Sequence, residues 1–359
     1  MNSAFLEIMR ASDDDRRALF LTTSRRIGTA VQHVEKDFWV SWALDALFNG
    51  LPIDGPRLLF KGGTSLSKAY GLIDRFSEDV DVTVYRADLG QDASAEELLA
   101  LSGKKRQARL DAIKASAQTY INGPLLEHLG HEIEHTMQSS GQSAARTPEG
   151  GPRLVRDESD ADRQTLLFWY PTVTASSTSQ VSGYIRSAVK IESGAKSALD
   201  PHQSAIITPY AAGDVPQLDL AVQNVRTVDP ERTFWDKLII LHGQRSWFER
   251  RGVLRGGGQR ISRHYYDVFR LSASSVAKHA LADRTLAVDC ARHARMFFNS
   301  PDLDLAHAIP GTLAIAPTES MMEPLRKDYA AMSGMIFGPV PAFDDVVAAI
   351  AELGDLVNA

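Results

Sequence analysis

Asp79 and Asp81 stand one residue apart in a run where Val80, Val82 and Val84 alternate with Asp79, Asp81 and Thr83. That alternation is the pattern of a half-buried strand. On a strand, residues two apart leave on the same side, about 6.5–7 Å apart along the chain. Two carboxylates so placed can converge on a pair of Mg²⁺ ions held about 3.5–4 Å apart, as in enzymes that displace pyrophosphate. Mg²⁺ takes one or two carboxylates together with substrate phosphates. The plainer alternative is an exposed, solubilising strand face, but Asp is a poor strand former, and two in so short a strand ask for a reason.

Just upstream, the apolar run 58–60 is followed by Lys61-Gly62-Gly63-Thr64. Paired glycines between a strand and a helix let the backbone approach a phosphate, and the helix N-terminus adds N–H donors and a favourable dipole. The spacing is not that of a Walker A loop, and an ordinary tight turn would look the same in isolation. A glycine turn, a short helix over 65–71 and a strand bearing Asp-x-Asp together place phosphate donors and metal ligands at one sheet edge. A competing motif is His131-Glu132-Ile133-Glu134-His135, which satisfies the H-E-x-x-H signature of zinc hydrolases. No third histidine follows within 139–143, so a charged surface helix is the plainer reading.

The elements that must position these groups follow from periodicity and caps. Ser12 with Asp13, Asp14 and Asp15 predicts an N-capped helix running toward Val31. Phe38, Trp42 and Ala46 recur every four residues in a second helix over 34–48. Residues 49–56 are a Gly/Pro loop, 93–129 are helical with a basic cluster at Lys104, Lys105, Arg106 and Arg109, and 139–162 form a mobile loop. Further strands are expected over 166–170 and 183–192. Asp229, Pro230 and Glu231 open a helix with Phe234, Trp235, Leu238, Leu241 and His242 in one stripe. The expected organisation is α+β: a mixed sheet flanked by helices over 1–224, then a mainly helical region over 225–359.

Composition sets outer limits. The 359 residues are 44% hydrophobic and 23% charged, a balance typical of globular proteins. Cys290 is the only cysteine, so no intrachain disulfide forms, which fits a reducing cytoplasm. No run approaches the roughly 18–20 apolar residues that span a bilayer, and the acidic start lacks signal-peptide character. A net charge of −6 excludes a surface that attracts nucleic acid everywhere, while leaving room for a local basic patch.

The segment KGGTSLSKAYGLIDRFSEDVDV, residues 61–82, resembles the signature of AbiEii-type nucleotidyltransferase toxins, part of the DNA polymerase β-like nucleotidyltransferase superfamily. The resemblance implies that Asp79 and Asp81 bind metal and that Ser77 matches the family serine before the first acid. PERTFWDKL (230–238) places a family lysine on Lys237, and RHYYDVFRL (263–271) an aspartate on Asp267. KIESG (190–194) is the best match for a third carboxylate, Glu192. The implied reaction moves NMP from an NTP to an acceptor hydroxyl with Mg²⁺, the acceptor being the 3′ end of tRNA. Gly62, Gly63 and Thr64 would cradle phosphate, Ser77 would orient it, and Lys237 would neutralise charge with its ammonium reaching out from the edge of the apolar stripe. A type IV-like toxin–antitoxin pair and a cognate antitoxin are also implied. Arg245, Arg250, Arg251, Arg255, Arg260 and Arg263 could contact RNA or form a solvated loop. A catalytically idle, partner-binding relative is the second functional class.

Overall fold

A computed structural model of the chain describes residues 1–142, 147, 150–174, 186–258 and 260–359. Among these, the first helices are α1 (Ala4–Arg10), α2 (Asp13–Ile27) and α3 (Val31–Asp45). Strand β1 (Leu58–Lys61) runs into α4 (Gly62–Lys68), and β2 (Asp79–Val84) leads to α5 (Ala95–Ala100), α6 (Gly103–Tyr120) and α7 (Leu126–Ser139). Then come β3 (Leu154–Arg156), β4 (Thr165–Trp169), β5 (Ala188–Glu192), β6 (His202–Ile207) and β7 (Val222–Val228). Helices α8 (Pro230–Arg251), α9 (Ser262–Ser272), α10 (Ser275–Ala282), α11 (Arg284–Phe297), α12 (Glu319–Met332) and α13 (Phe343–Asn358) complete the chain.

The described residues form two compact units. A sheet unit comprises Met1–Ala69, Phe76–Ala93 and Ala108–Thr227; a helical unit comprises Tyr70–Arg75, Ser94–Gln107 and Val228–Ala359. The units therefore do not follow a single cut in the chain. Six residues inside the 61–82 signature belong with the helices.

In the sheet unit the strand order is β3-β4-β5-β2-β1-β7-β6. Strand β2 lies at the centre, antiparallel to β1 and parallel to β5, while β4 is antiparallel to both β3 and β5. The sheet is thus mixed. Val80, Val82 and Val84 are buried on one side of β2, and Asp79 and Asp81 are half-buried on the other.

Helix α3 is the internal support of this sheet. Trp42 lies 5.2 Å from Phe168 of β4 and Trp39 stacks on Tyr170 at 5.7 Å, while Phe38 meets Phe5 and Phe20 of α1 and α2. The four-residue spacing suggested one packed face. Instead every residue from His33 to Asp45 is buried, Glu35, Lys36 and Asp37 included. Buried charges survive only when paired, and these are. Glu35 accepts from the backbone N–H groups of Val173 and Thr174 and from the Thr172 hydroxyl. Asp37 lies 2.7 Å from the ammonium of Lys68 at the end of α4 and accepts from the N–H of Tyr210. Lys68 also donates to the Thr208 carbonyl and sits 4.1 Å over the Tyr210 ring, so α4 is pinned at its C-terminal end.

In the helical unit, α8 packs on α9, α10 and α11, and α9 also packs on α12 and α13. The Tyr70–Arg75 segment is held there by a bridge between Arg75 and Ile336 and by the N–H of Phe337 donating to the Asp74 carbonyl at 2.8 Å.

The structure departs from the sequence expectations at several places. Helix α4 begins at Gly62, three residues early, because the glycines are its first turn and not a separate bend. The helical stretch 93–129 is broken after Ala100, the end of a short helix that a Ser94–Glu97 capping box starts. The loop 139–162 contains β3, which pairs with β4. Strand β5 begins at Ala188; residues 183–185, also assigned to it, lie outside the described residues. Strands β6 and β7 were not anticipated. Asp229 precedes α8 as expected, with Pro230 at its first position, but its side chain does not cap the helix. No described helix is long and apolar enough to cross a membrane.

Candidate active site

The site starts from a missing side chain. Gly62 follows β1 directly and opens α4 with φ +81°, a left-handed conformation that costs other residues about 1–2 kcal/mol. Lys61 stands opposite Asp81 across the β1–β2 pair. The turn therefore lies directly against the Asp81 carboxylate. A Cβ at residue 62 would fall 2.2 Å from Asp81 Oδ2 and 2.9 Å from its Cγ, inside any allowed contact. Only glycine lets this backbone reach that carboxylate.

The next link is Thr64. Fully buried, its hydroxyl lies 2.7 Å from that of Ser77 and donates to the Asp79 carbonyl. Thr64 thus ties the first turn of α4 to the start of β2. Its hydroxyl is committed to that tie.

Parallel pairing brings a further carboxylate, Glu192, opposite Asp81. Asp79 registers with Lys190, Val80 with Ile191 and Asp81 with Glu192, so Asp79, Asp81, Lys190 and Glu192 share one face of the sheet. The Lys190 ammonium is bonded to Glu192. Asp79 feels the crowding: burial first, then the charges of Glu78, Glu192 and Asp81, push its carboxyl up to about 6, with Lys36 pulling weakly the other way. Sequence reasoning missed Glu78 and Lys36. Glu78 is buried and its Oε2 lies 2.8 Å from the ammonium of buried Lys36.

Among the described residues no three His, Cys, Asp or Glu side chains form a ready-made metal cage. The donor set instead fits a hard cation that takes few protein ligands and completes its shell with phosphates and water. Carboxylates outnumber ammonium groups around Asp79, which is the charge balance a divalent cation corrects. The competing zinc motif lacks such a setting. His131 and His135 are both exposed on α7 and no third ligand gathers with them among the described residues.

The helical unit holds the remaining expected residues. Lys237 does not extend outward from its stripe. It is 5% exposed, and its ammonium lies 2.7 Å from Asp267 Oδ2. Asp267 is fully buried and also receives Nε and Nη2 of Arg75 at 2.7 and 2.8 Å. Burial would raise the Asp267 carboxyl, but Arg75 and Lys237 hold it well below the usual carboxylate range. Burial lowers the Lys237 ammonium, with Asp267 opposing. Asp267 therefore pairs with residues off its own helix. Arg75 was not singled out by sequence, although it lies inside the signature. Several of the loop arginines are engaged within the unit: Arg245 with Glu249, Arg251 with Asp302 and Arg250 with the Pro301 carbonyl.

A family model described as the nucleotidyl transferase AbiEii toxin of type IV toxin–antitoxin systems matches residues 45–349. The chain belongs to this family. No curated protein matches it. Among solved structures the AbiEii member is similar to MenT4, a nucleotidyltransferase toxin from Mycobacterium tuberculosis H37Rv. The two are 15% identical, the match covers 94% of this chain and 97% of that one, and the TM-score is 0.36. The family match takes in Gly62 to Asp81, Glu192, Lys237 and Asp267, and begins after Lys36.

Three outcomes follow for this AbiEii member. Gly62→Ala should destabilise it by about 1–3 kcal/mol in urea denaturation, from left-handed strain and the clash with Asp81. Adding Asp81→Gly should recover the clash share but not the strain, a coupling on the order of 1 kcal/mol. For metal-free protein, the raised Asp79 pKa means that the folded state holds a proton the unfolded chain has released, so wild type loses stability as pH rises from about 4 through about 6. Asp79→Asn lacks that loss and should gain on wild type between pH 4 and pH 8, by at most about 3 kcal/mol. Asp267→Asn removes the buried negative charge that Arg75 and Lys237 share and should cost about 3–5 kcal/mol in the same assay.

Proposed function

We propose that this AbiEii-family member transfers a nucleoside monophosphate from an NTP to an acceptor hydroxyl on RNA, the 3′ end of tRNA, as the toxin of a type IV pair restrained by a cognate antitoxin. The observation that carries the reading is the convergence of Gly62, Asp81, Asp79 and Glu192 on one face of β2 and β5. A module that only binds a partner gains nothing from half-buried, mutually repelling carboxylates, which argues against the idle-relative reading.

Asp79 and Asp81 would hold Mg²⁺, with Glu192 beside them once Lys190 releases it. When bound, the metal supplies charge neutralisation at the phosphates and a lowered pKa at the attacking hydroxyl. The remaining work belongs to the chain. The first-turn N–H groups at Gly63 and Thr64 receive phosphate oxygens. Ser77, held by Thr64, orients them. The family resemblance assigns Lys237 to neutralising developing charge, and Asp267 holds its ammonium. Positioning and electrostatics account for most of the acceleration expected in such phosphoryl chemistry. NTP and tRNA as substrates imply action in the cytoplasm.

The test is transfer from radiolabelled NTP to total tRNA with Mg²⁺, across all four nucleotides. Wild type should label RNA, and Asp81→Ala should keep the wild-type melting curve while labelling at least about 10³-fold less. Near-normal labelling by that variant removes Asp81 from the mechanism.

A further inference from the structure

The C-terminal end of α8 carries two arginines gathered on one ring. Trp247 and Arg251 are one helical turn apart and so share a face, and the Arg251 guanidinium lies 5.5 Å from the indole centroid. Beyond the Gly252 cap, Arg255 returns to the same ring, its guanidinium 5.6 Å from the centroid. Both distances are within cation–π range. One half-buried tryptophan thus steadies two exposed arginines, the first from a helix and the second from a loop.

The two differ in what else holds them. Arg251 also donates Nε to Asp302 at 3.0 Å. Arg255 has the ring and, among the described residues, no carboxylate or hydrogen-bond acceptor. An aromatic ring orients a guanidinium without cancelling its charge or occupying its N–H donors. Arg255 has therefore given up rotamer freedom before any ligand arrives, while its planar fork stays open to a phosphate. Gly256 and Gly257 follow with φ +65° and +73°, and a Cβ on either would meet nothing within 4 Å. The turn needs glycine for its backbone shape and not for packing, and it leaves bare main chain that a large ligand can approach closely.

A chain of net charge −6 repels a polyanion as a whole, so an RNA acceptor must be drawn in by cations gathered locally. The basic run at the start of α6 is the rival. It offers the exposed Lys104 and Lys105 with no aromatic support among the described residues, and Arg106 donates to the carbonyls of Leu98 and Leu101. Position favours the end of α8 as well. Lys237 lies on the same helix, about 15 Å before Trp247 at 1.5 Å per residue, a span of about four stacked nucleotides.

We propose that the face formed by Trp247, Arg251 and Arg255 is where the sugar-phosphate backbone of the acceptor RNA docks. The inference rests on the RNA-acceptor reading above and says which surface of the helical unit serves it. Arg255 supplies the charge that no carboxylate opposes, Trp247 holds it in place, and the glycine turn lets the strand come close.

The experiment is fluorescence anisotropy of fluorescein-labelled total tRNA across a KCl series at fixed Mg²⁺ and without nucleotide, with transfer kinetics and melting curves alongside. Wild-type affinity should fall as salt rises. Arg255→Gln should weaken binding about 3–10-fold near 0.1 M KCl and reduce the slope of log affinity against log salt by about one. Arg255→Glu should weaken it further. In transfer, both should raise KM for tRNA and leave kcat and KM for NTP at wild-type values. Trp247→Leu keeps every charge and should lose about two- to five-fold in affinity with the slope unchanged. Lys104→Gln/Lys105→Gln removes two exposed charges elsewhere and should stay within about two-fold of wild type. Wild-type affinity and slope in Arg255→Glu overturn the inference while transfer to RNA stands, and assign this face to another partner. A loss in the lysine pair as large as in Arg255→Gln marks a diffuse field and overturns it too. If Trp247→Leu fails to fold, the two Arg255 variants, whose exposed side chain has only the ring contact, still decide. Wild-type protein that neither binds nor labels tRNA overturns the RNA-acceptor reading together with this inference.

Discussion

The arrangement depends on one close approach, the backbone of residue 62 lying against the carboxylate of Asp81. The approach needs both the absence of a Cβ and a left-handed φ, two properties that glycine alone supplies cheaply. From it the rest follows by short links. The chain turns straight from β1 into α4, Thr64 is carried under the start of β2, and the Thr64 hydroxyl holds Ser77 and the Asp79 carbonyl. Parallel pairing with β5 then brings Glu192 opposite Asp81. The site is thus built from backbone pairing and one glycine, with few side-chain contacts needed to hold it.

Buried charge is distributed with purpose in each unit. In the sheet unit, α3 presents Glu35, Lys36 and Asp37 in succession, and each fastens a different segment: 172–174, the start of β2, and the end of α4. Successive helix positions differ by about 100°, so one buried helix can reach three directions. Around Asp79 the carboxylates are in excess. In the helical unit the balance is reversed, because the single carboxylate of Asp267 serves both Arg75 and Lys237. Each excess is tolerated because hydrogen bonds fix the groups that carry it, and each is an electrostatic feature that ordinary core packing would not produce.

Much of this was legible in the chain. Alternation in 79–84 identified β2 and its two faces, whereas the parallel register that sets Glu192 opposite Asp81 joins segments far apart in the chain. The Ser12 cap, the Pro230 start and the apolar stripe of α8 were local signals and were met locally. What escaped notice was long-range. Lys36 and Glu78 are 42 positions apart and Arg75 and Asp267 are 192 apart. A buried lysine or arginine looks like a surface residue until its partner is known, and Lys237 was read as a lysine reaching outward for that reason. Strand β3 has only three residues, and β6 is largely exposed, so neither carried an apolar rhythm.

The central claim is that the glycine turn and the β2 carboxylates together hold a metal-bound triphosphate. Anomalous scattering from crystals grown with Mn²⁺ and a non-hydrolysable NTP analogue tests it most directly. The account predicts anomalous density between Asp79 and Asp81, with a phosphate oxygen within hydrogen-bond distance of the N–H of Gly63 or Thr64. Manganese elsewhere, at His131 and His135 for example, or a triphosphate bound away from the turn at Gly62, would contradict it.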